Sequence, residues 1–452
     1  MQLLNSNTET QTSIHQTIIK LALPAILENV LHTAVWILDT AMVGRLNAES
    51  LSAVGFGAQL AFALVNIIAA MGMGTSALVA RYIGANEPKK ANKVVAQSFL
   101  ISWILSLFLA ILNYLLARPF FSSTMKDPLV ISMGISYMKI ITTGVVFLIP
   151  TMVMNAALRG AGNTRLPMVS ALVANTINVV GDYVLIFGHF GFPRMEVQGA
   201  ALATALAQVV GGVITLGYLI FGKDVIRLNL KEAFKLDMAV IKQLSKLSLP
   251  SCLEEFSHSG SRLISSIWIA YLGTVSFAAH QVAVSAESMS FMPGFGFSVA
   301  ASTLVGQNLG ADRPDEAEKS AWIAMKFALA LMSVVGLFFL LFSRQLMSLF
   351  TSVSEVEDAA AACIRIAAFE QPTIAIAMAF GGALRGAGDT RGTFKVGLIG
   401  TWIVRLPLIF LIVFVFKKPI TYVWMATAVQ FAVEALLMIR RFKKGGWKKI
   451  KV

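Results

Sequence analysis

Apolar stretches of 20 or more residues recur along the whole 452-residue chain, divided by short polar connections. Each is long enough to cross the hydrocarbon core of a bilayer as a helix, about 30 Å at 1.5 Å per residue. The pattern predicts spans over 18–44, 51–80, 94–117, 130–157, 168–188 and 199–222. It then predicts six more over 244–270, 277–306, 320–343, 356–383, 394–416 and 419–439. The expected fold is therefore an all-α integral membrane protein of twelve transmembrane helices.

The pattern is written twice, because a shift of 226 residues lays the chain on itself without a gap. Lys20-Leu21-Ala22-Leu23-Pro24 falls on Lys246-Leu247-Ser248-Leu249-Pro250, and Gly84-Ala85-Asn86-Glu87-Pro88 on Gly310-Ala311-Asp312-Arg313-Pro314. Ala157-Leu158-Arg159-Gly160-Ala161-Gly162-Asn163-Thr164-Arg165 meets Ala383-Leu384-Arg385-Gly386-Ala387-Gly388-Asp389-Thr390-Arg391 with one difference in nine. Duplicated apolar halves are how secondary transporters build sites at repeat interfaces. Six spans is an even number, so both halves insert in the same sense. The repeats are parallel and pseudo-symmetric, with a lobe at 1–222, a cytoplasmic linker at 223–243, and a second lobe at 244–452 ending in a basic tail.

Composition agrees with the pattern: 56% hydrophobic, 13% charged and a mean hydropathy of +0.73. The polar start, Met1 to Thr17, lacks a basic region and a small-residue cleavage site, so no signal peptide is expected. The net charge of +13 resembles that of a nucleic-acid binder until its placement is counted. Alternate loops hold 25 of the 37 Lys and Arg, the opposite loops hold seven, and five lie within or near spans. The positive-inside rule places the basic loops and both termini in the cytoplasm, in a cell inner (plasma) membrane. Nucleic acid is not an expected partner; membrane lipid is. Cys252 and Cys363 both fall inside spans and define neither a disulfide nor a metal site.

Ionisable residues inside spans cost about 2.5–3.5 kcal/mol on insertion scales, so each asks for a role. Asp39 in span 1, Asn178 and Asp182 one turn apart in span 5, and Thr204 in span 6 all lie roughly 7–11 Å from the outer boundary. Two carboxylates, an amide oxygen and a hydroxyl at one depth fit either Na⁺ or an exchangeable proton. In the second half Glu254, Glu255 and His258 cluster in span 7, with Glu370 in span 10 at comparable depth; they are candidate substrate or proton contacts. Pro24 in span 1 and Pro250 in span 7 interrupt long helices, and Pro24 is a candidate hinge. Gly386-Ala387-Gly388-Asp389 spells the GxGD of intramembrane aspartyl proteases, but its repeat copy carries Asn163 and no second aspartate stands opposite. No catalytic constellation is present, and the chain does not read as an enzyme.

These residues resemble the multidrug and toxic compound extrusion (MATE) family over nearly the whole chain. The resemblance rests on the twelve spans, the six-plus-six repeat, Pro24 with Asp39-Thr40-Ala41-Met42-Val43-Gly44, and the paired Leu-Arg-Gly-Ala-Gly loops. It implies two six-helix lobes that export cationic or amphipathic compounds against inward flow of H⁺ or Na⁺. It also implies that Asp39, Asn178, Asp182 and Thr204, with the Ala200 backbone carbonyl, form the ion site. The family's helix 7 glutamate is His258 here and its helix 10 aspartate is Ile374, so coupling is expected in the first lobe. The expected protein is a monomeric alternating-access antiporter without a cofactor other than its coupling ion. The rival reading is a flippase for a lipid-linked saccharide or another amphipathic metabolite.

Overall fold

The computed structural model describes residues 11–222 and 224–450. Outside the described residues lie the first ten, which hold much of the polar start, Lys223 of the linker, and the last two, including Lys451 of the basic tail. The described chain is helical throughout. In the first repeat the helices are α1 (Gln11–Gly44), α2 (Ala48–Ala69), α3 (Met71–Gly84), α4 (Pro88–Thr124), α5 (Pro128–Gly160), α6 (Arg165–Phe187) and α7 (Glu196–Phe221). The single-turn α8 (Leu230–Ala233) follows, then α9 (Met238–Ala270), α10 (Thr274–Ser288), α11 (Phe291–Gly310), α12 (Pro314–Leu341) and the short α13 (Ser343–Ser348). α14 (Ser354–Gly386), α15 (Thr390–Leu398), α16 (Leu406–Phe410) and α17 (Ile420–Lys443) complete the second repeat.

Ten segments among the described residues are long and apolar enough to cross a membrane, with α2 and α3 forming one of them; the bent pair α10–α11 makes eleven. The twelfth span is α9, which has the length at 33 residues but carries Lys242, Lys246, Glu254, Glu255 and Arg262. Large apolar side chains such as Phe108, Leu115, Val213, Leu263 and Ile403 stand exposed, as lipid contact requires and water would penalise.

Two predicted spans are less regular than their apolar patterns. The span over 277–306 bends by 42° between α10 and α11. The Glu287 carbonyl accepts both the N–H of Ser290 (2.8 Å) and its hydroxyl (2.7 Å), which closes α10. Pro293, in the first turn of α11, has no N–H to carry the ladder across the break. The span over 394–416 holds two π-helical segments, Ile399–Arg405 and Leu411–Val415, on either side of Pro407. In them Leu406 N–H donates to Thr401 O and Phe416 N–H to Leu411 O, five residues back.

The repeat is visible in the backbone. The Leu-Arg-Gly-Ala-Gly loops end α5 and α14 as Schellman turns, with Gly162 at φ 92° and Gly388 at φ 88°. The N–H of Asn163 reaches Leu158 O at 2.9 Å, and that of Asp389 reaches Leu384 O at 2.8 Å. The one difference between the loops is used: Asn163 donates to Asp224 at 2.9 Å, whereas Asp389 accepts two bonds from Arg441. The Asp389 side chain is thus committed to an ion pair at the start of α15.

Contacts divide the chain into two compact units. The first holds Leu27–Ile83 and Glu87–Cys252, with α5 packed by α2, α4, α6 and α7. The second holds the chain up to Ile26, Gly84–Asn86 and everything from Leu253, with α14 packed by α10, α11, α12 and α17. Repeats and compact units thus divide the chain differently. The exchange between units comes two residues past Pro24 in α1 and two residues past Pro250 in α9.

Candidate functional site

In the first unit, α1 carries Asp39 five residues before its end at Gly44, and α6 carries Asp182 five residues before Phe187. Both therefore sit about 8 Å in from a helix end. Asp182 is fully buried, and neither of its carboxylate oxygens has a hydrogen-bond donor; Oδ1 of Asp39 is likewise buried and without one. The two carboxylates act on each other, and both face the buried Tyr137 of α5. One turn back from Asp182, Asn178 donates through Nδ2 to Thr204 Oγ1 at 3.3 Å. The Thr204 hydroxyl donates in turn to the Ala200 carbonyl at 3.0 Å. The structure thus links Asn178, Thr204 and Ala200 in one chain of bonds across α6 and α7, and sets Asp39 against Asp182.

A buried carboxylate without donors costs several kcal/mol as an ion. Taking up a proton or a monovalent cation removes that cost, and releasing it restores the cost. That is the chemistry this pair can perform. The Ala200 carbonyl and Thr204 hydroxyl are bonded to each other yet each keeps a lone pair, and the oxygens with no hydrogen-bond partner include Oδ1 of Asp39 and both of Asp182. Among the described residues no three His, Cys, Asp or Glu side chains converge to hold a metal ion.

The second-half candidates separate into two places. Glu254 of α9 accepts from Arg385 at 3.0 Å and from the Thr393 hydroxyl at 3.1 Å. This reproduces, 226 residues on, the bond pair from Arg159 to Glu28 at 3.0 and 3.2 Å. Both ion pairs are largely buried and tie the long proline-containing helix to the Schellman turn. Glu255 pairs with Arg262 at 3.3 Å along the same helix, and His258 packs beside Gly397 of α15. Glu370, buried on α14, stands apart from them, with neither carboxylate oxygen hydrogen-bonded, and feels the charges of Glu287 on α10 and of Arg405.

With that geometry in view, comparison with known proteins is decisive for the family. The MatE family model matches residues 24–184 and again 250–411, once per repeat, the two matches beginning at Pro24 and Pro250. The chain belongs to the MATE family of efflux transporters. It is 31% identical over 440 residues to the probable multidrug resistance protein NorM of Thermotoga maritima, covering 96% of this chain and 94% of that protein. It is 26% identical over 393 residues to the multidrug resistance protein MdtK of Yersinia pestis, covering 87% and 86%. In fold it is similar to a MOP superfamily transporter from Pyrococcus furiosus, with TM-score 0.90 at 22% identity over 100% of this chain and 98% of that one.

MATE membership makes this a multi-pass membrane transporter, and the first unit buries further polar groups that sequence reading did not single out. Asn175 precedes Asn178 by three residues on the same face of α6, is buried, and has an unpartnered Nδ2. Its spacing to Asn178 and Asp182 is a signal that would have found it. Gln208 of α7, with a buried unpartnered Oε1, and Tyr137 of α5 carry no such pattern. In the second half, Glu287 and Arg405 were missed as companions of Glu370, since they sit on other helices far off in the chain.

Proposed function

We propose that this protein is a multidrug efflux antiporter of a cell inner membrane. It exports cationic or amphipathic organic compounds by alternating access, in exchange for H⁺ or Na⁺ taken up at Asp39 and Asp182. The observation that carries the reading is Asp182, wholly buried beside Asp39 with neither oxygen supplied with a donor. Loading this pair with a cation removes an uncompensated buried charge, and by linkage a ligand that favours the unloaded state competes with the ion. Asn178, Thr204 and the Ala200 carbonyl frame the pair. Pro24 supplies the interruption in α1 at which the helix bends, two residues before the chain leaves one compact unit for the other.

Relatives named as multidrug resistance proteins support the substrate class. The basic loops support cytoplasmic termini, and the internal duplication supports a monomer. A carrier of lipid-linked pyrophosphate needs free buried cations. Arg262 and Arg405 here answer carboxylates, and Arg365 donates to the Ser343 hydroxyl, which favours drug export. The test is accumulation of a fluorescent organic cation in proteoliposomes under separately imposed pH and sodium gradients. Uphill accumulation under at least one gradient is expected, and none under either refutes the reading.

A further inference from the structure

The linker between α7 and α9 is tied to the first unit along its length. Leu228 N–H donates to Leu219 O at 2.8 Å, and Arg227 N–H to Asn92 Oδ1 of α4 at 2.8 Å. Gln97 of α4, itself buried, donates through Nε2 to the Lys235 carbonyl at 2.8 Å and accepts the Asp237 N–H at 3.2 Å. Ile226, Leu228 and Ala233 are buried. Gln97 lies three residues inside the span predicted over 94–117, so the linker runs at the membrane boundary, at the depth of lipid headgroups.

Its open face combines two kinds of side chain. Phe234 is 74% exposed, Leu236 65% and Met238 72%, a grouping that marks surfaces meeting a partner or a membrane. Arg227, Lys231, Lys235 and Lys242 are exposed among them, and so is Lys89 in the first turn of α4. None of these cations forms an ion pair among the described residues. Two of the linker's acids are engaged internally. Asp224 accepts from Asn163 and Tyr218, and Asp237 pairs with Lys93 and accepts the Ala239 N–H that opens α9. Glu232 is the exposed exception.

The second repeat treats the same end differently. By the 226-residue offset Lys89, Lys90 and Asn92 become Asp315, Glu316 and Glu318. Lys448 of the tail pairs there with Asp315 at 3.3 Å and Glu318 at 2.6 Å, and the stacked rings of Phe442 and Trp447 are buried. That repeat neutralises the start of α12 and covers the aromatic rings of the tail. The first leaves cations and apolar side chains open side by side.

We propose that the linker, with the start of α4, is a docking surface for anionic phospholipid of the adjoining leaflet. Phe234, Leu236 and Met238 enter the acyl boundary, while Arg227, Lys231, Lys235 and Lys89 meet lipid phosphate. A soluble acidic partner answers the cations alone; a leaflet surface answers the cations, the apolar side chains and the depth together. The proposal needs neither the coupling ion nor the substrate class proposed above.

The test is hydrogen–deuterium exchange, read by mass spectrometry, of the full chain in nanodiscs of phosphatidylcholine with or without phosphatidylglycerol. The expected result is several-fold slower exchange across residues 229–238 when phosphatidylglycerol is present. Lys231→Gln Lys235→Gln should remove most of that difference, and Phe234→Ser Leu236→Ser should lessen it with the charge unchanged. Full protection in either double variant overturns the proposal. So does equal exchange of the wild-type chain in the two lipids, a comparison that needs no variant to fold. Protection by inorganic phosphate alone in phosphatidylcholine discs, or only where two copies share a disc, overturns it in favour of a small-anion site or a self-contact.

Discussion

The two repeats share their scaffold and differ in nearly all their buried chemistry. Glu28–Arg159 and Glu254–Arg385 are the same ion pair 226 residues apart, and Gly162 and Gly388 turn the chain with φ within a few degrees. By that offset Asp39 corresponds to Ser265, Asn178 to Val404, Asp182 to Leu408 and Thr204 to Gln430. Conversely Glu287 corresponds to Ala61, Glu370 to Gly144 and Arg405 to Val179. Interactions that fold each half are thus duplicated, whereas the groups able to bind and release a cation occur at one copy only. A buried polar group present in both repeats reads as architecture; one present in a single repeat is the better candidate for function.

That contrast can be broken at several points. Arg159→Ala and Arg385→Ala each take the counter-charge from a buried glutamate, Glu254 keeping the Thr393 hydroxyl, and discounting for the partial exposure of the arginines, each is expected to cost about 3 kcal/mol. Thermal melting in detergent checks this, and a large inequality between the two would contradict a shared structural role. Gly162→Ala and Gly388→Ala place a side chain at positive φ and should cost about 1–2 kcal/mol, again equally, in the same assay. Thr204→Val removes the hydroxyl between Asn178 and the Ala200 carbonyl. A several-fold fall in transport rate, about 1 kcal/mol, is expected with little change in melting. Ser265→Asp puts a carboxylate at the second-repeat counterpart of Asp39 and should give no recovery of export to Asp39→Asn. Recovery would mean that the halves are functionally interchangeable.

The architecture was open to sequence reading because lipid demands long apolar helices and duplication demands a constant offset. The bend after Glu287 and the π turns around Pro407 were not, although Pro293 and Pro407 were in plain view. A proline tells where a helix bond is missing and not which carbonyl takes up the slack. For the site, counting residues along spans 1, 5 and 6 brought Asp39, Asn178, Asp182 and Thr204 to one depth, yet depth is silent about azimuth. It grouped Glu254 with Glu370 for the same reason, whereas Glu254 is bonded to Arg385 and Thr393 and Glu370 faces Glu287.

The central claim is that a cation held at Asp39 and Asp182 drives export. The direct measurement is uphill accumulation of a fluorescent organic cation in proteoliposomes bearing wild-type protein or Asp39→Asn Asp182→Asn, with downhill movement recorded in the same vesicles. The expected result is that the double variant, reconstituted in equal amount, loses gradient-driven accumulation and keeps some downhill passage. Undiminished uphill accumulation in the double variant would contradict the account.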